Sequence, residues 1–230
     1  MKKIVITGAK GNIGKVLTKG LVEYDIIPVD LPEVDVCNYN KISDILKEKD
    51  TVIHLAWNSK TENCINRKID PSNTKMFENV YEASLKQGVK RVIMASSVHA
   101  QEYRNWKGPK LIPIKDDTKP DSPYGKHKIE MEKLGQFYST KGLEVICIRF
   151  GAVCPLEGPW WKELPDVGLS YPDCVDLIRK CLEAKEVPNN FVVMYAVSKN
   201  KKRVHDYKNP FGWEPKTDSE EFYKKQALLL

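Results

Sequence analysis

Residues 7–14 read Thr-Gly-Ala-Lys-Gly-Asn-Ile-Gly, with a glycine at every third position from Gly8 to Gly14. The stretch follows a β-branched run at residues 4–6 and overlaps the start of residues 12–23, whose apolar side chains recur with helical spacing. Glycine suits a sharp strand-to-helix turn, because it allows a tight backbone path and close packing. The sequence therefore predicts a strand, a glycine-rich turn and a helix over residues 4–23.

Apolar runs of strand length and amphipathic stretches of helix length continue to alternate towards residue 150. Further strands are predicted at residues 26–29, 52–55, 91–95 and 145–149. Helices are predicted between them, around residues 42–49, 72–87 and 123–141. Strands that are buried on both faces and joined by helical crossovers form a parallel sheet. The predicted fold class is therefore α/β, a Rossmann-type doubly wound parallel sheet.

The composition limits the class of protein. At 230 residues, with 41% hydrophobic and 30% charged residues, the chain is expected to form one domain with a sizeable core. Lysine and arginine number 37 against 31 aspartate and glutamate, a net charge of +6. The one dense basic cluster, residues 199–203, is short and predicts a solvated loop rather than a nucleic-acid interface. No apolar run reaches the ~18 residues of a membrane span, and the apolar run at the N-terminus is shorter than the roughly 7–15 residues of a secretory signal.

The cysteines and histidines are not spaced like metal ligands. The six cysteines form no Cys-x-x-Cys pair, and the four histidines are isolated in the sequence. We therefore expect reduced thiols, no bound metal and a cytoplasmic location.

The glycine-rich turn is also the predicted cofactor site, because backbone N–H groups at a helix N-terminus can bind the pyrophosphate of a dinucleotide. The residues given this role are Gly8, Gly11, Asn12, Ile13 and Gly14. Asp30 ends the second predicted strand. A carboxylate there can bind both ribose hydroxyls and repels a 2′-phosphate, so NAD is predicted over NADP. The alternative is that Asp30 is only a turn residue. Six further residues are expected along the cofactor: Leu31, Asp35, Val36, Leu55, Ala56 and Trp57.

A Tyr-x-x-x-Lys pair, Tyr124 and Lys128, stands near the start of the long predicted helix. The spacing of four places both side chains on one helix face, where an ammonium favours the phenolate and lowers the pKa of the tyrosine towards that of a general base. Two other pairs match the pattern, at 103/107 and 195/199, but neither follows a predicted strand and opens a helix. Ser97, just beyond the fourth strand, is placed to bind a substrate oxygen.

These motifs occur in the order typical of the extended short-chain dehydrogenase/reductases, the NAD-dependent epimerase/dehydratase family, which the chain resembles over most of its length. The resemblance rests on TGAKGNIG (7–14), Asp30, HLAW (54–57), ASSVH (95–99), PYGKHK (123–128), RFGAV (149–153) and FGWEPK (211–216). Within this family the chain is most similar to the uronate dehydrogenases. The residues that point to them are Ser59, Ser96 to His99, Asp173 and the FGWEPK stretch.

The resemblance implies roles for single residues. Ser97, Tyr124 and Lys128 would be catalytic, and Tyr124 and Lys128 would also contact the cofactor. Asn73 would belong to the cofactor and lysine network. Ser59 and His99 would bind substrate together with Ser97 and Tyr124. For His99, a neutral histidine packed under the sheet edge is an equal alternative.

The chain departs from the uronate dehydrogenase pattern at two places. Val98 stands where those enzymes have an asparagine, and the loop CPLEGPWWKELPD (154–166) lacks their arginine for the substrate carboxylate. Lys162 is the only cation in this loop, which makes it the candidate partner for an acidic substrate. Trp160 and Trp161 would form either a lid or a satellite core, and Trp213 would pack the end of the chain onto the core.

The pattern changes after Gly151, where prolines become frequent, with a helix at about 172–184, a strand at 191–197 and a helix near 218–228. We expect residues 1–150 to form an NAD-binding Rossmann core and residues 151–230 a small C-terminal substrate-binding cap, not an independent domain.

The predicted function is NAD-dependent oxidation of a sugar or sugar acid. The alternatives are a nucleotide-sugar epimerase or dehydratase and a non-catalytic NAD(P)-binding redox sensor. The expected partner is a small molecule, neither nucleic acid nor membrane, and the helix at 123–141 is a possible homodimer face.

Overall fold

The structure is a computed structural model that describes residues 1–59, 68–107, 111–114, 118–156 and 165–228. Its centre is one parallel β-sheet of six strands. Its strands are β1 (Lys3–Thr7), β2 (Asp25–Val29), β3 (Thr51–His54), β4 (Arg91–Ser97), β5 (Glu144–Phe150) and β6 (Phe191–Ala196). Their order across the sheet is β2-β1-β3-β4-β5-β6, and every neighbouring pair is parallel.

The helices of the described residues lie between and after these strands. They are α1 (Asn12–Gly20), α2 (Tyr39–Leu46), α3 (Pro71–Gln87), α4 (Pro123–Ser139), α5 (Tyr171–Glu183) and α6 (Ser219–Ala227). Each of α3, α4 and α5 has a proline in its first turn and a side chain that caps its first N–H groups. Proline loses no hydrogen bond there, and the cap satisfies a free N–H, so the three starts are locally encoded. None of these helices is long and apolar enough to cross a bilayer.

Side chains alternate between the two faces of the sheet. In β1, Ile4 and Ile6 belong to the core under α1 and α5, whereas Val5 belongs to the core under α2, α3 and α4. The inner strands continue this alternation, so both of their faces are buried. The predicted Rossmann-type doubly wound α/β fold is confirmed.

The strand order locates the site. Strand β1 pairs with β2 on one side and with β3 on the other, so the chain moves from β1 to β2 and then crosses back past β1 to β3. In open parallel sheets, ligands bind outside the carboxyl ends of the strands where the order reverses. The glycine-rich turn follows β1 at that point, and Leu55 follows β3.

The largest boundary difference from the sequence prediction is in α2, which begins at Tyr39 rather than near residue 42 and ends at Leu46. The start is set by Asn38, whose side-chain oxygen accepts a hydrogen bond from Lys41 N at 3.1 Å. Asparagine is a favoured N-cap because its side chain satisfies a free N–H. The hydrophobic spacing alone does not contain this signal.

The sheet continues past residue 150. Strand β6 pairs with β5, α5 packs on α1, and Trp213 is buried in the core beneath them. The sheet therefore includes residues on both sides of the expected boundary at residue 150. The expectation that residues 1–150 form the NAD-binding core and residues 151–230 the substrate-binding cap stays a prediction. The last helix is also tied in, because the Tyr223 hydroxyl accepts from Cys154 N at 2.9 Å and donates to the Leu169 carbonyl at 2.8 Å.

A buried ion pair joins β5 to α4. Arg149 donates to both carboxylate oxygens of Glu132, at 2.9 and 2.7 Å, and both residues are almost fully buried. Ser96 of β4 donates to the same carboxylate at 2.5 Å. Two strands and one helix are thus tied to a single charged group.

Replacing Arg149 by methionine should destabilise the protein strongly. The substitution leaves the Glu132 carboxylate buried without its cation, which typically costs about 3–5 kcal/mol of unfolding free energy. The matched control is Arg179→Met, because Arg179 pairs with Glu23 on the surface. Exposed pairs contribute about 0–1 kcal/mol. Urea unfolding compares the two variants, and equal losses would contradict the structural role of Glu132.

Candidate active site

Two connected clefts open at the carboxyl edge of the sheet. A groove of about 710 Å³ runs over the glycine turn, and a chamber of about 360 Å³ lies over the ends of β4 and β5. Leu55 and Trp57, in the segment after β3, line both. An extended groove and a smaller chamber therefore adjoin each other at Leu55 and Trp57.

The glycine turn packs against the segment after β3. Gly8 has a φ of +72°, and a Cβ on it would lie 2.6 Å from Ala56 N. A Cβ on Gly14 would lie 2.4 Å from the Gly8 carbonyl oxygen. Gly11 differs, since a Cβ there would meet only that same oxygen, at 3.3 Å, and would otherwise stand in the groove. Gly8 and Gly14 thus shape the turn, and Gly11 leaves room for a ligand.

Asp30 stands at the edge of the groove with its carboxylate held in place. It accepts hydrogen bonds from Lys10 N at 2.7 Å and from Leu31 N at 2.8 Å. The Lys10 ammonium, which sequence reasoning missed, also lines the groove and pairs with Glu33 at 2.7 Å. The groove therefore presents a fixed acceptor beside a cation that is already paired.

The structure brings most of the predicted cofactor residues together. Those that line the groove are Gly8, Gly11, Asp30, Leu31, Asp35, Val36, Leu55, Ala56 and Trp57. Asn12 and Gly14 line neither cleft, and Ile13 lines the chamber. Ser59, predicted to bind substrate, lines the groove. Lys162 lies outside the described residues, as do Trp160 and Trp161.

Asn73 is engaged with the backbone of Asn58. Its side-chain oxygen accepts from Asn58 N at 2.7 Å, and its amide nitrogen donates to the Asn58 carbonyl at 3.0 Å. Both ends of the amide are thereby used. Asn73 holds the segment after β3 in position, and its predicted contact with cofactor and lysine stays a prediction.

The residues of the groove fit a dinucleotide. Gly8, Lys10 and Gly11 line the groove directly before α1 begins, and Gly11 N donates to Gly8 O at 3.1 Å, which tightens the turn. Such a turn at the start of a helix is suited to a pyrophosphate. Asp30 supplies the acceptor for ribose hydroxyls. Among the described residues no group of three His, Cys, Asp or Glu side chains is placed to hold a metal ion.

Ser97, Tyr124 and Lys128 line the chamber together. Ser97 ends β4, and its side chain hydrogen-bonds the Tyr124 phenol. Helix α4 carries the other two residues and begins against residues 98–100, where a Cβ on Gly125 would lie 1.9 Å from the His99 carbonyl oxygen. That close approach is possible only for glycine, and it places Tyr124 beside the end of β4.

Lys128 is enclosed. Its ammonium donates to the Ala95 carbonyl at 2.8 Å and lies 4.1 Å from the centre of the Trp57 ring. Burial lowers the pKa of Lys128 to about 7, although the nearby Glu132 acts in the opposite direction. The cation thus depends on Glu132 and the Trp57 ring for its stabilisation.

The expected lowering of the tyrosine pKa by lysine is not seen. Burial raises the pKa of Tyr124 above its ordinary value, and the hydrogen bond with Ser97 opposes this rise. The Lys128 ammonium lies 5.6 Å from the centre of the Tyr124 ring and is bonded elsewhere. Within the protein alone, Ser97 is the group that favours the phenolate.

His99 lies at the chamber with its ring fixed. Its Nδ1 is 2.7 Å from the Asp121 carboxylate, and its ring centre is 5.8 Å from that of Tyr124. Three chamber-side residues were missed by sequence reasoning: Tyr103, Arg104 and Asp121. They follow the 98–100 turn or precede α4, in loops where no periodic pattern marks them.

The chain matches known proteins over most of its length. The sequence profile of the NAD dependent epimerase/dehydratase family matches residues 4–189. A uronate dehydrogenase of Pseudomonas putida is 31% identical over 238 residues, covering 96% of this chain and 86% of that protein. An L-arabinose 1-dehydrogenase (NAD(P)(+)) of Haloferax volcanii is 26% identical, covering 95% and 98%. The crystal structure of uronate dehydrogenase from Agrobacterium tumefaciens shares the fold, with a TM-score of 0.79 at 24% identity, covering 100% and 90%.

Gly14→Ala should lower the stability of the protein, whereas Gly11→Ala should weaken the binding of NAD. The alanine methyl at position 14 has no space against the Gly8 carbonyl, so we expect a loss of about 1–3 kcal/mol in unfolding free energy, as for overpacked sites. At position 11 the methyl stands in the groove, so stability should be nearly unchanged while NAD binding weakens. Urea unfolding and calorimetric NAD titration separate the two effects. Normal NAD affinity of Gly11→Ala would contradict the assignment of the groove.

Lys128→Met should change how stability depends on pH. The pKa of Lys128 is about 7 in the folded protein against an ordinary value of 10.5, so between these values the unfolded chain binds a proton that the folded protein lacks. The wild type should therefore gain stability with rising pH relative to the variant, by up to about 1.4 kcal/mol per pH unit. Urea unfolding across this window measures the gain. Lys126→Met, on the exposed side of α4, is the control, and a pH-independent difference for Lys128→Met would contradict the prediction.

Proposed function

Because the chain belongs to the NAD-dependent epimerase/dehydratase family, whose enzymes use NAD, we propose that it oxidises a CH–OH group of a sugar or sugar acid. The observation that carries the proposal is the meeting of Ser97, Tyr124 and Lys128 in a chamber that adjoins the dinucleotide groove. These residues come from β4 and α4, and their arrangement suits removal of a proton from a substrate hydroxyl.

The substrate class is supported by two relatives and by the size of the chamber. One relative is a uronate dehydrogenase and the other an L-arabinose 1-dehydrogenase, and this chain spans most of both. The chamber bounded by the described residues is about half the size of the groove. A chamber of this volume has room for a single sugar ring, and both relatives are dehydrogenases, which favours the dehydrogenase over the epimerase alternative.

Each catalytic residue has one task. Ser97 donates a hydrogen bond to the reacting oxygen, and Tyr124 accepts the hydroxyl proton as the carbonyl forms. NAD, when bound, supplies the acceptor for the hydride, so the carbon loses two electrons and one hydrogen while the proton goes to the phenolate. Lys128 has its ammonium 5.6 Å from the centre of the Tyr124 ring and holds the cofactor beside the phenol.

Asp30 supports the use of NAD rather than NADP. Its carboxylate stands in the groove with both oxygens oriented by backbone N–H groups. A second phosphate on the ribose would meet this negative charge. The Lys10 ammonium, the nearest cation in the groove lining, is paired with Glu33.

Two further expectations remain proposals. We place the protein in the cytoplasm, which accords with an NAD requirement and with the free thiols of the described cysteines. We also propose a homodimer through α4, on which Phe137 is half exposed and offers an apolar contact. Both are independent of the catalytic assignment.

Tyr124→Phe should remove turnover and keep cofactor binding. The variant lacks only the proton acceptor, so kcat should fall by about 10²–10⁴-fold while the Kd of NAD stays close to that of the wild type. Tyr138→Phe, on the same helix but outside both clefts, is the control and should retain activity.

The assay follows NADH formation with D-glucuronate, D-galacturonate, L-arabinose and UDP-glucose in turn. Oxidation of a free sugar or sugar acid supports the proposal. Conversion of UDP-glucose to an epimer without net NADH would assign the epimerase function instead. A Tyr124→Phe variant with more than half of the wild-type activity would require another base.

A further inference from the structure

One cation at the mouth of the chamber has no role in the steps above. Arg104 lines the chamber with Ser97, His99 and Tyr124, and its side chain is exposed. Among the chamber-lining residues that the structure describes, the other lysine or arginine is Lys128. Lys128 is buried, with its ammonium bonded to the Ala95 carbonyl and lying over the Trp57 ring, so Arg104 is the one of the two that stands at the mouth.

Arg104 has free donors. Its guanidinium hydrogen-bonds the Tyr103 hydroxyl, and no carboxylate of the described residues forms an ion pair with it. Asp121, which lies near enough to act on its charge, already binds His99 through one oxygen and Ser122 through the other. A guanidinium carries five N–H donors in a planar fork that matches the two oxygens of a carboxylate. Most of this fork is available to a ligand.

The support of Arg104 is rigid. Tyr103 is buried, with its ring centre 5.7 Å from that of His99 and 5.1 Å from that of His205. A turn that contains Arg104 is closed by the hydrogen bond from Trp106 N to the Tyr103 carbonyl, at 3.0 Å. The rings of Tyr124, His99 and Tyr103 thus form a row that leads from the proposed base to the guanidinium.

We propose that Arg104 binds the carboxylate of the substrate, which makes the substrate a sugar acid rather than a neutral aldose. The inference rests on the proposed function, since it presumes that the CH–OH group reacts at Ser97 and Tyr124. A carboxylate that enters a partly enclosed chamber loses water and needs a cation to replace it. Arg104 offers that cation in the lining of the chamber that Ser97 and Tyr124 also line, with a planar pair of donors that a lysine lacks.

This assignment replaces Lys162 as the carboxylate partner. The expectation for Lys162 rests on its being the only cation in the sequence of the loop after β5. Arg104 lies in a different loop, after β4, and reaches the chamber through folding. The two residues can be separated by experiment.

The test measures binding of D-glucuronate and of D-glucose to the full chain by calorimetry, with NADH in place of NAD so that no oxidation occurs during the titration. The variants are Arg104→Met, Arg104→Lys and Lys162→Met, with Lys107→Met as the control in the same exposed loop. Arg104→Met should weaken D-glucuronate binding about tenfold or more, as for loss of a charge-assisted hydrogen bond, and leave D-glucose binding unchanged. Arg104→Lys should restore part of the affinity. Because Arg104 is exposed, urea unfolding should show the variants to be as stable as the wild type.

Three results would overturn the proposal. They are a wild type that binds no D-glucuronate, an Arg104→Met variant that binds it normally, and a loss of binding in Lys162→Met alone. Kinetics distinguish this failure from that of the proposed function. If L-arabinose is oxidised with NAD and the ratio of kcat/KM for D-glucuronate to L-arabinose is unchanged in Arg104→Met, only the role of Arg104 fails. If no sugar or sugar acid reduces NAD, the proposed function fails, and the binding data still decide whether Arg104 holds a carboxylate.

Discussion

The paired hydrogen bonds between Arg149 and Glu132 set the position of α4 against the sheet. Glu132 lies one helical turn after Lys128, so any rotation of α4 that moved Tyr124 and Lys128 away from β4 would also separate the buried charges. Ser96 binds the same carboxylate and is the neighbour of Ser97. Since an unpaired buried charge is costly, the geometry of the catalytic residues is coupled to the stability of the fold.

The fold was largely predictable because its signals are local and periodic. Buried β-branched runs, helix-length amphipathic stretches and glycines at one turn determine the elements and their parallel arrangement. What escaped prediction depends on single side chains or on distant pairing. The start of α2 is set by the cap at Asn38. The addition of β6 to the sheet depends on a partner strand forty residues or more earlier in the chain, which no local pattern contains.

Site residues could be predicted from the sequence where they belong to a motif of fixed spacing that also lies next to a predicted strand or helix. Gly8, Asp30, Tyr124 and Lys128 each follow or begin a regular element, so their meeting at the carboxyl edge follows from the topology. Lys10, Arg104 and Asp121 lie in turns, and their roles come from contacts that spacing does not reveal. The pKa of Tyr124 also depends on burial, which opposes the effect expected from a nearby lysine.

The contacts of Tyr223 have a consequence for the order in which the protein matures. Its hydroxyl bridges Cys154 N and the Leu169 carbonyl, on either side of the loop that follows β5. During synthesis, that loop and the whole sheet leave the ribosome before Tyr223 does. Before this residue emerges, the ends of the loop are joined by the backbone hydrogen bonds that Ala152 makes with Val167 and Leu169. The chain can therefore form its sheet and the base of this loop first, and the docking of α6 then adds a second tie across the same two ends.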